Sequence, residues 1–238
     1  MAAVLGTNVA SMFNVNALNK SKHGLDTSLA RLSSGSRINS AKDDATGLTL
    51  AIGFDSKLRG SLTAQRGAND GVAKAQTNDS YLAQITENLQ RLRDIAVQLG
   101  GTATGAETTA LTAENTRISA LVTATGAVVV DSIGSTVTGV GVAFTAATVT
   151  TVASADTALT AVATARSQFG ADMATFQSAA NNLGNSAVNL AAQLSSVMDT
   201  DYATEAANMT KFNILQQAGM AALSQANQSP QSITGLLR

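Results

Sequence analysis

The sequence predicts a mainly α-helical protein whose long helices lie side by side, interrupted by one small β-rich region. Three observations predict it. Apolar residues recur at alternating steps of three and four along most of the 238 residues, the period of helices packed along a coiled-coil seam. Aromatic residues make up only 3% and tryptophan is absent, so alanine, leucine and valine must do the packing. Between Ile118 and Ala165 the pattern changes: there is no lysine or arginine, only Asp131 and Asp156 are charged, and threonine, valine and glycine dominate. A chain of this length suffices for one or two domains with a sizeable core.

The first helix carries Val15, Leu18, Leu25, Leu29 and Leu32 at heptad spacing, with Lys22 in the missing place. Gly35 then offers a left-handed stop. Ser40 followed by Asp43 reads as a capping box opening a second helix near Ala41. That helix has Leu48, Ile52, Leu58 and Leu62 on or near one face. Gly53, Gly60, Gly67 and Gly71 weaken its middle by about 1 kcal/mol each relative to alanine. The stripe sharpens at Leu82, Ile85, Leu89, Leu92, Ala96 and Leu99, and Gly100-Gly101 ends it. Thr104 and Glu107 form a second candidate capping box, before a shorter helix marked by Leu111, Ile118, Leu121 and Val122.

The β-branched runs Val128-Val129-Val130 and Thr148-Val149-Thr150-Thr151-Val152, punctuated by Gly126, Gly134, Gly139 and Gly141, read as short strands and turns. A fourth helix follows with Leu159, Val162, Arg166, Phe169, Met173, Phe176, Ala180, Leu183, Ala187, Leu190, Leu194 and Val197 in unbroken three-four alternation. At 1.5 Å per residue it would run for roughly 60 Å, a length that favours a rod, with bends allowed at Gly170 and Gly184. The last helix, from about Tyr202 to Gln225, has two stripes. Phe212, Leu215, Gly219 and Ala222 form one; Ile214, Ala218 and Ala221 form the other. A helix apolar on two sides expects neighbours on two sides. Pro230 is expected to end it before an apolar tail of Ile233, Leu236 and Leu237.

Several function classes are excluded or disfavoured. The formal net charge is −1 and the 15 basic residues form no run, so nothing suggests a nucleic-acid surface. Cysteine is absent and His23 is the sole histidine, which leaves no thiol nucleophile, disulfide framework, zinc cluster or His-Glu-x-x-His metalloprotease site. No cofactor or metal is expected. Asp43-Asp44 is better explained by capping than by catalysis, and Gly139-Val140-Gly141 lacks the rest of a phosphate loop. No apolar run approaches the roughly 18 residues of a membrane span, and Met1 to Val15 lacks the basic and apolar blocks of a cleavable signal peptide.

Specific sequence is concentrated at the two ends. Leu29-Ala30-Arg31-Leu32-Ser33-Ser34-Gly35-Ser36-Arg37-Ile38-Asn39-Ser40-Ala41-Lys42-Asp43-Asp44-Ala45-Thr46-Gly47 lies at one. Asp201-Tyr202-Ala203-Thr204-Glu205, Ile214-Leu215-Gln216-Gln217-Ala218-Gly219, Gln225-Ala226-Asn227-Gln228 and Leu236-Leu237-Arg238 lie at the other. With Gln90-Arg91-Leu92-Arg93-Asp94-Ile95-Ala96-Val97-Gln98, these segments resemble bacterial flagellin over roughly the first 100 and last 80 residues. The Phe-Asn-Gly type of motif expected after the third helix is absent.

The resemblance implies a long antiparallel coiled-coil or helical-bundle rod with a small β-hairpin region and paired N- and C-terminal helices. Residues 1–43 and 199–238 would line the inner tube of a flagellar filament. Residues 44–198 would form the core, with a β-rich insert at about 126–153 and no large outer domains. It implies self-assembly through Val15, Leu18, Leu25, Leu29, Leu32, Phe212, Ile214, Leu215, Ala218, Ala222, Leu236 and Leu237. It implies type III export without a cleaved signal, an extracellular filament, and export-chaperone, cap and hook-junction partners. It also implies recognition by Toll-like receptor 5, or a subunit contact, at Gln90, Arg91, Arg93, Asp94, Ile95 and Glu114, with Ile95 as an apolar contact and Leu89, Leu92 and Ala96 in the core. The hook–filament junction protein, a structural relative, is the alternative.

Overall fold

The computed structural model describes residues 8–122, 127–129, 136–139 and 148–236, with side chains omitted at the strands and beyond residue 228. Five helices and one hairpin follow in order: α1 (Val9–Ser34), α2 (Ala45–Gln98), α3 (Ala106–Ser119), β1 (Ala127–Val129), β2 (Thr136–Thr138), α4 (Val152–Met198) and α5 (Tyr202–Leu236). They divide into two compact units, one of residues 1–53 with 193–238 and one of residues 54–192.

The second unit is built on α2 and α4. Arg93 pairs with Asp156, Asp79 with Arg166, and Gly71 lies against Phe176, so the two helices run antiparallel. The buried face of α2 is Ser61, Ala64, Ala68, Gly71, Ala75, Asn78, Leu82, Ile85, Leu89, Leu92 and Ala96, a three-four alternation without a break. Its small half sits at the level of Phe169, Phe176 and Leu183 of α4. Its large half sits at the level of Ala155, Ala158, Val162 and Ala165. Large residues therefore mostly meet small ones along the seam, as Phe176 meets Gly71. Ile118, Val122 and Val149 complete this core at the α3 end.

The buried face of α4 is rotated from the one the large residues marked. Val162, Phe169, Phe176 and Leu183 are buried as expected, but Ala155, Ala158, Ala165, Asp172 and Ala179 share the face, while Leu159, Arg166 and Met173 lie at its half-buried edge. The physical reason is close approach: alanine occupies the seam because it admits the partner's leucines. Similarly Ile52, Leu62, Leu99 and Leu121, expected on stripes, are exposed.

Helix ends follow local chemistry. Gly35 ends α1 at φ 70°, its N–H bonded to the Arg31 carbonyl at 2.8 Å. α2 starts at Ala45, four residues later than expected. The Ser40 hydroxyl and the Asn39 and Ser40 amides donate to Asp43 and close a turn. Asp44 then caps the helix by accepting from the Gly47 amide at 2.8 Å. Gly100 and Gly101, both at positive φ, end α2 as expected.

Three expectations fail. The Thr104–Glu107 box does not form: Gly105 precedes α3 with no side-chain cap, and Glu107 is drawn to Arg91. The stretch Thr148–Val152 is not a strand. Thr151 and Ser154 exchange hydrogen bonds there, Ser154 N to Thr151 Oγ1 at 3.1 Å and Thr151 N to Ser154 Oγ at 3.0 Å, and this box opens α4. The second strand lies instead at Thr136–Thr138, pairing antiparallel with Ala127–Val129 in the register Val128 opposite Val137. Val130 and residues 140–147 of the insert lie outside the described residues. Third, α5 does not stop at Pro230; it runs on to Leu236. Among the described residues, no helix is long and apolar enough to cross a membrane.

Candidate functional site

In the first unit α1 and α5 pack against each other. Successive contacts run in opposite directions along the two helices: Asn8 with Ala226, Asn14 with Ala222, Leu18 with Gly219, Gly24 with Phe212, Arg31 with Glu205. The pair is therefore antiparallel and in register over almost the full length of α1. Its start is fixed by the links on either side. Arg37 N donates to the Met198 carbonyl, Thr200 N to the Gly35 carbonyl, and the Arg37 guanidinium to the Val197 carbonyl.

The seam of this pair mixes small and polar residues with half-buried large apolar ones. On α1 it is Ser11, Asn14, Leu18, Ser21, Gly24, Leu25, Ser28, Arg31 and Leu32; on α5 it is Glu205, Met209, Phe212, Gln216, Gly219, Leu223 and Ala226. A Cβ at Gly24 would lie 2.6 Å from the Phe212 ring, so glycine is what lets that ring seat. Among the described residues, Ser28 is the only buried residue of α1, and Glu205 the only one of α5. Among the described residues, no apolar side chain of either helix is fully buried.

That seam divides the expected assembly residues. Leu18, Leu25, Leu32 and Phe212 lie in it, half-buried. Val15, Leu29, Ile214, Leu215, Ala218 and Ala222 turn outward. Side chains are described only to residue 228, so of Leu236 only its place in α5 is known, and Leu237 lies outside the described residues. The outward surface also includes residues that the heptad count did not single out: Val9, Met12 (61% exposed), Phe13 (74%) and Met220. Reading Val9 to Phe13 as the amphipathic start of a helix would have found them, since Asn8 caps that helix by accepting from the Ser11 amide.

The Gln90–Ile95 segment of α2 lies beside α3 and the start of α4. Gln90, Arg91 and Asp94 are exposed and Arg93 is half-exposed, whereas Ile95 is 8% exposed and joins Leu89, Leu92 and Ala96 in the core. Ile95 therefore offers no free surface to a partner. Arg91 donates to Glu107 at 2.8 Å and Arg93 to Asp156 at 2.7 Å. In each, the hydrogen bond first and the partner's charge second raise the guanidinium's pKa above its ordinary value. Glu114 is held below the usual carboxylate range by its hydrogen bond to Arg117. These ion pairs lie on a charged surface to which α2, α3 and α4 all contribute. Among the described residues no group of His, Cys, Asp and Glu could hold a metal ion.

One unit of two antiparallel helices with apolar side chains on their outward surface, and another of long helices around its own buried core, define the class of long-helix packing proteins. The family model described as the bacterial flagellin N-terminal helical region matches residues 5–125, and that of the C-terminal helical region matches residues 152–237. The chain belongs to the bacterial flagellin family. It is 51% identical over 98 residues to a flagellin of Salmonella rubislaw, covering 41% of this chain and 20% of that one. It is 47% identical over 108 residues to a flagellin of Escherichia coli K12, covering 45% and 22%. A phase 2 flagellin of Salmonella typhimurium is 51% identical over 98 residues, covering 41% and 19%. The chain thus spans about a fifth of the length of the curated relatives it matches.

Proposed function

We propose that this chain is a structural, non-enzymatic subunit that polymerises into a bacterial flagellar filament serving motility. The carrying observation is that, among the described residues, α1 and α5 bury no apolar side chain fully between them while presenting Phe13, Ile214 and Met220 to the outside. Apolar surface of this kind marks an interaction face, and a helix apolar on two sides is completed by further helices. Neighbouring copies supply those helices, so residues 1–43 and 199–238 line an inner tube and residues 44–198 lie outside it. The names of the matched relatives favour a filament subunit over a hook–filament junction protein. Export proceeds unfolded through the flagellar type III channel to an extracellular filament, with export-chaperone, cap and hook-junction proteins as partners. In the free monomer, the face of Gln90, Arg91, Arg93, Asp94 and Glu114 meets Toll-like receptor 5.

Deleting residues 1–35 or 204–238 tests the assembly reading. The remaining chain keeps its α2–α4 core and is expected to stay soluble and helical, yet electron microscopy after seeding should show no filaments. Polymerisation of either truncation to normal length would overturn the reading.

A further inference from the structure

We propose that the Asn8 side chain supplies the hydrogen bond that Pro230 cannot, joining the first turn of α1 to the proline-bearing turn of α5. In an α-helix each carbonyl accepts from the N–H four residues on. For Ala226 that residue is Pro230, which has no N–H. The helix nevertheless continues to Leu236. The Asn8 Nδ2 donates to the Ala226 carbonyl at 2.9 Å, within the ordinary range of a full hydrogen bond.

A second asparagine provides the internal comparison. Asn14 Nδ2 reaches the Ala222 carbonyl at 3.5 Å. There the helix supplies a donor of its own, because residue 226 is alanine, and the asparagine stands off. The short bond occurs where the ladder lacks its donor. The same Asn8 amide also caps α1, its Oδ1 accepting from the Ser11 amide at 3.0 Å. One side chain thus uses its acceptor on its own helix and its donors on the partner helix. It matches the end of one helix to a single carbonyl of the other and so fixes the register of the pair. A one-residue slip would leave the Ala226 carbonyl without a donor and bring Asn8 to one already satisfied.

The test is a double-mutant cycle in the full chain, read by amide hydrogen exchange of peptides covering residues 222–236. Trimethylamine oxide is present to favour the paired ends over the open ones, at a protein concentration where sedimentation shows monomer, so the measurement does not depend on polymerisation. Asn8→Asp keeps the cap acceptor and removes the donor; Pro230→Ala restores the N–H of the ladder. Asn8→Asp is expected to speed exchange by about tenfold when residue 230 is proline, the scale of one lost hydrogen bond, and by less than about twofold in the Pro230→Ala background. An equal acceleration in both backgrounds, or none in either, would overturn the proposal. Seeded polymerisation of the same four proteins bears on the filament reading, on which this bond does not depend. Asn8→Ala, which loses cap and donor together, checks that the cap alone does not account for the effect: it should exceed Asn8→Asp in both backgrounds by one constant factor.

Discussion

A Cβ added at Gly71 would lie 3.0 to 3.1 Å from the Phe176 ring, which is fully buried and has nowhere to move. At Gly170, in the same unit, nothing stands within 4 Å. Alanine at either site gains about 1 kcal/mol of helix propensity, but at Gly71 overpacking costs about 1–3 kcal/mol. Gly170→Ala should therefore raise the urea midpoint of the full chain and Gly71→Ala should lower it. If both variants were stabilised, Phe176 would have found room. Arg91 poses a different question, since it is exposed but already bound to Glu107. Arg91→Ala removes no buried volume, so the circular dichroism spectrum should be unchanged. Activation of Toll-like receptor 5 by free monomer should fall about tenfold at limiting dose, the scale of a charge-assisted contact. Glu107→Ala, which frees Arg91 and leaves it in place, should not reduce the signal. A fall with Glu107→Ala equal to that with Arg91→Ala would assign the effect to the anchoring of α3 instead.

Elements were legible where large residues mark them. The ends of α1 and α2 at Gly35 and Gly100-Gly101, the long α4 and the stripe Leu82–Leu92 all follow from spacing and glycine chemistry. What was not legible is the small-residue half of each seam. Ser21, Gly24 and Ser28 of α1, and Ala158, Ala165 and Ala179 of α4, are buried or half-buried because they admit a neighbour, and hydrophobicity does not record that role. For the same reason Val15 and Leu29 were placed in a seam from which they turn outward. The start of α4 was misread because β-branching at Thr148–Val152 outweighed the Thr151–Ser154 cap. Caps also make the helices sensitive to acid. Asp201 accepts from the Thr204 hydroxyl and from the Ala203 and Thr204 amides at the start of α5. The Thr204 side-chain bond, followed by its backbone bond, lowers its pKa below the ordinary 3.8. Asp43 is lowered by the Ser40 hydroxyl first. A carboxylate with a depressed folded pKa contributes stability that is complete above the ordinary value and is lost as pH falls through the folded value. Thermal melts of the full chain should thus fall off below pH 3.8, and Asp201→Asn, which caps without titrating, should flatten that fall. An unchanged acid limb in Asp201→Asn would show that the cap's charge does not contribute.

At the scale of the whole molecule the two units differ in what holds them. Phe169, Phe176, Leu82, Ile85, Leu89, Leu92 and Val162 are all under 2% exposed or nearly so, and they anchor the second unit. The first has a seam of serine, glycine and half-buried leucine, with Ser28 and Glu205 buried only at the end where Arg31 meets Glu205. Regions with few buried apolar contacts open at free energies far below global unfolding, and proteolysis follows the population of the open form. In the free monomer, therefore, brief protease treatment should trim both ends and stop near Ser40 and Asp199, where Ile38 is buried and Arg37 is bonded to the Met198 carbonyl. In a filament built as proposed, with neighbouring copies over Val9, Phe13, Ile214 and Met220, the same treatment should leave the chain intact. Mass spectrometry of the fragments reads both cases. Equal protection of ends and centre in monomer would mean that α1 and α5 are stable as a pair, and that their outward apolar residues are not what drives polymerisation. Trimming confined to the monomer would tie assembly to order at the ends, so that a subunit acquires its last two helices only where a neighbour supplies the missing face.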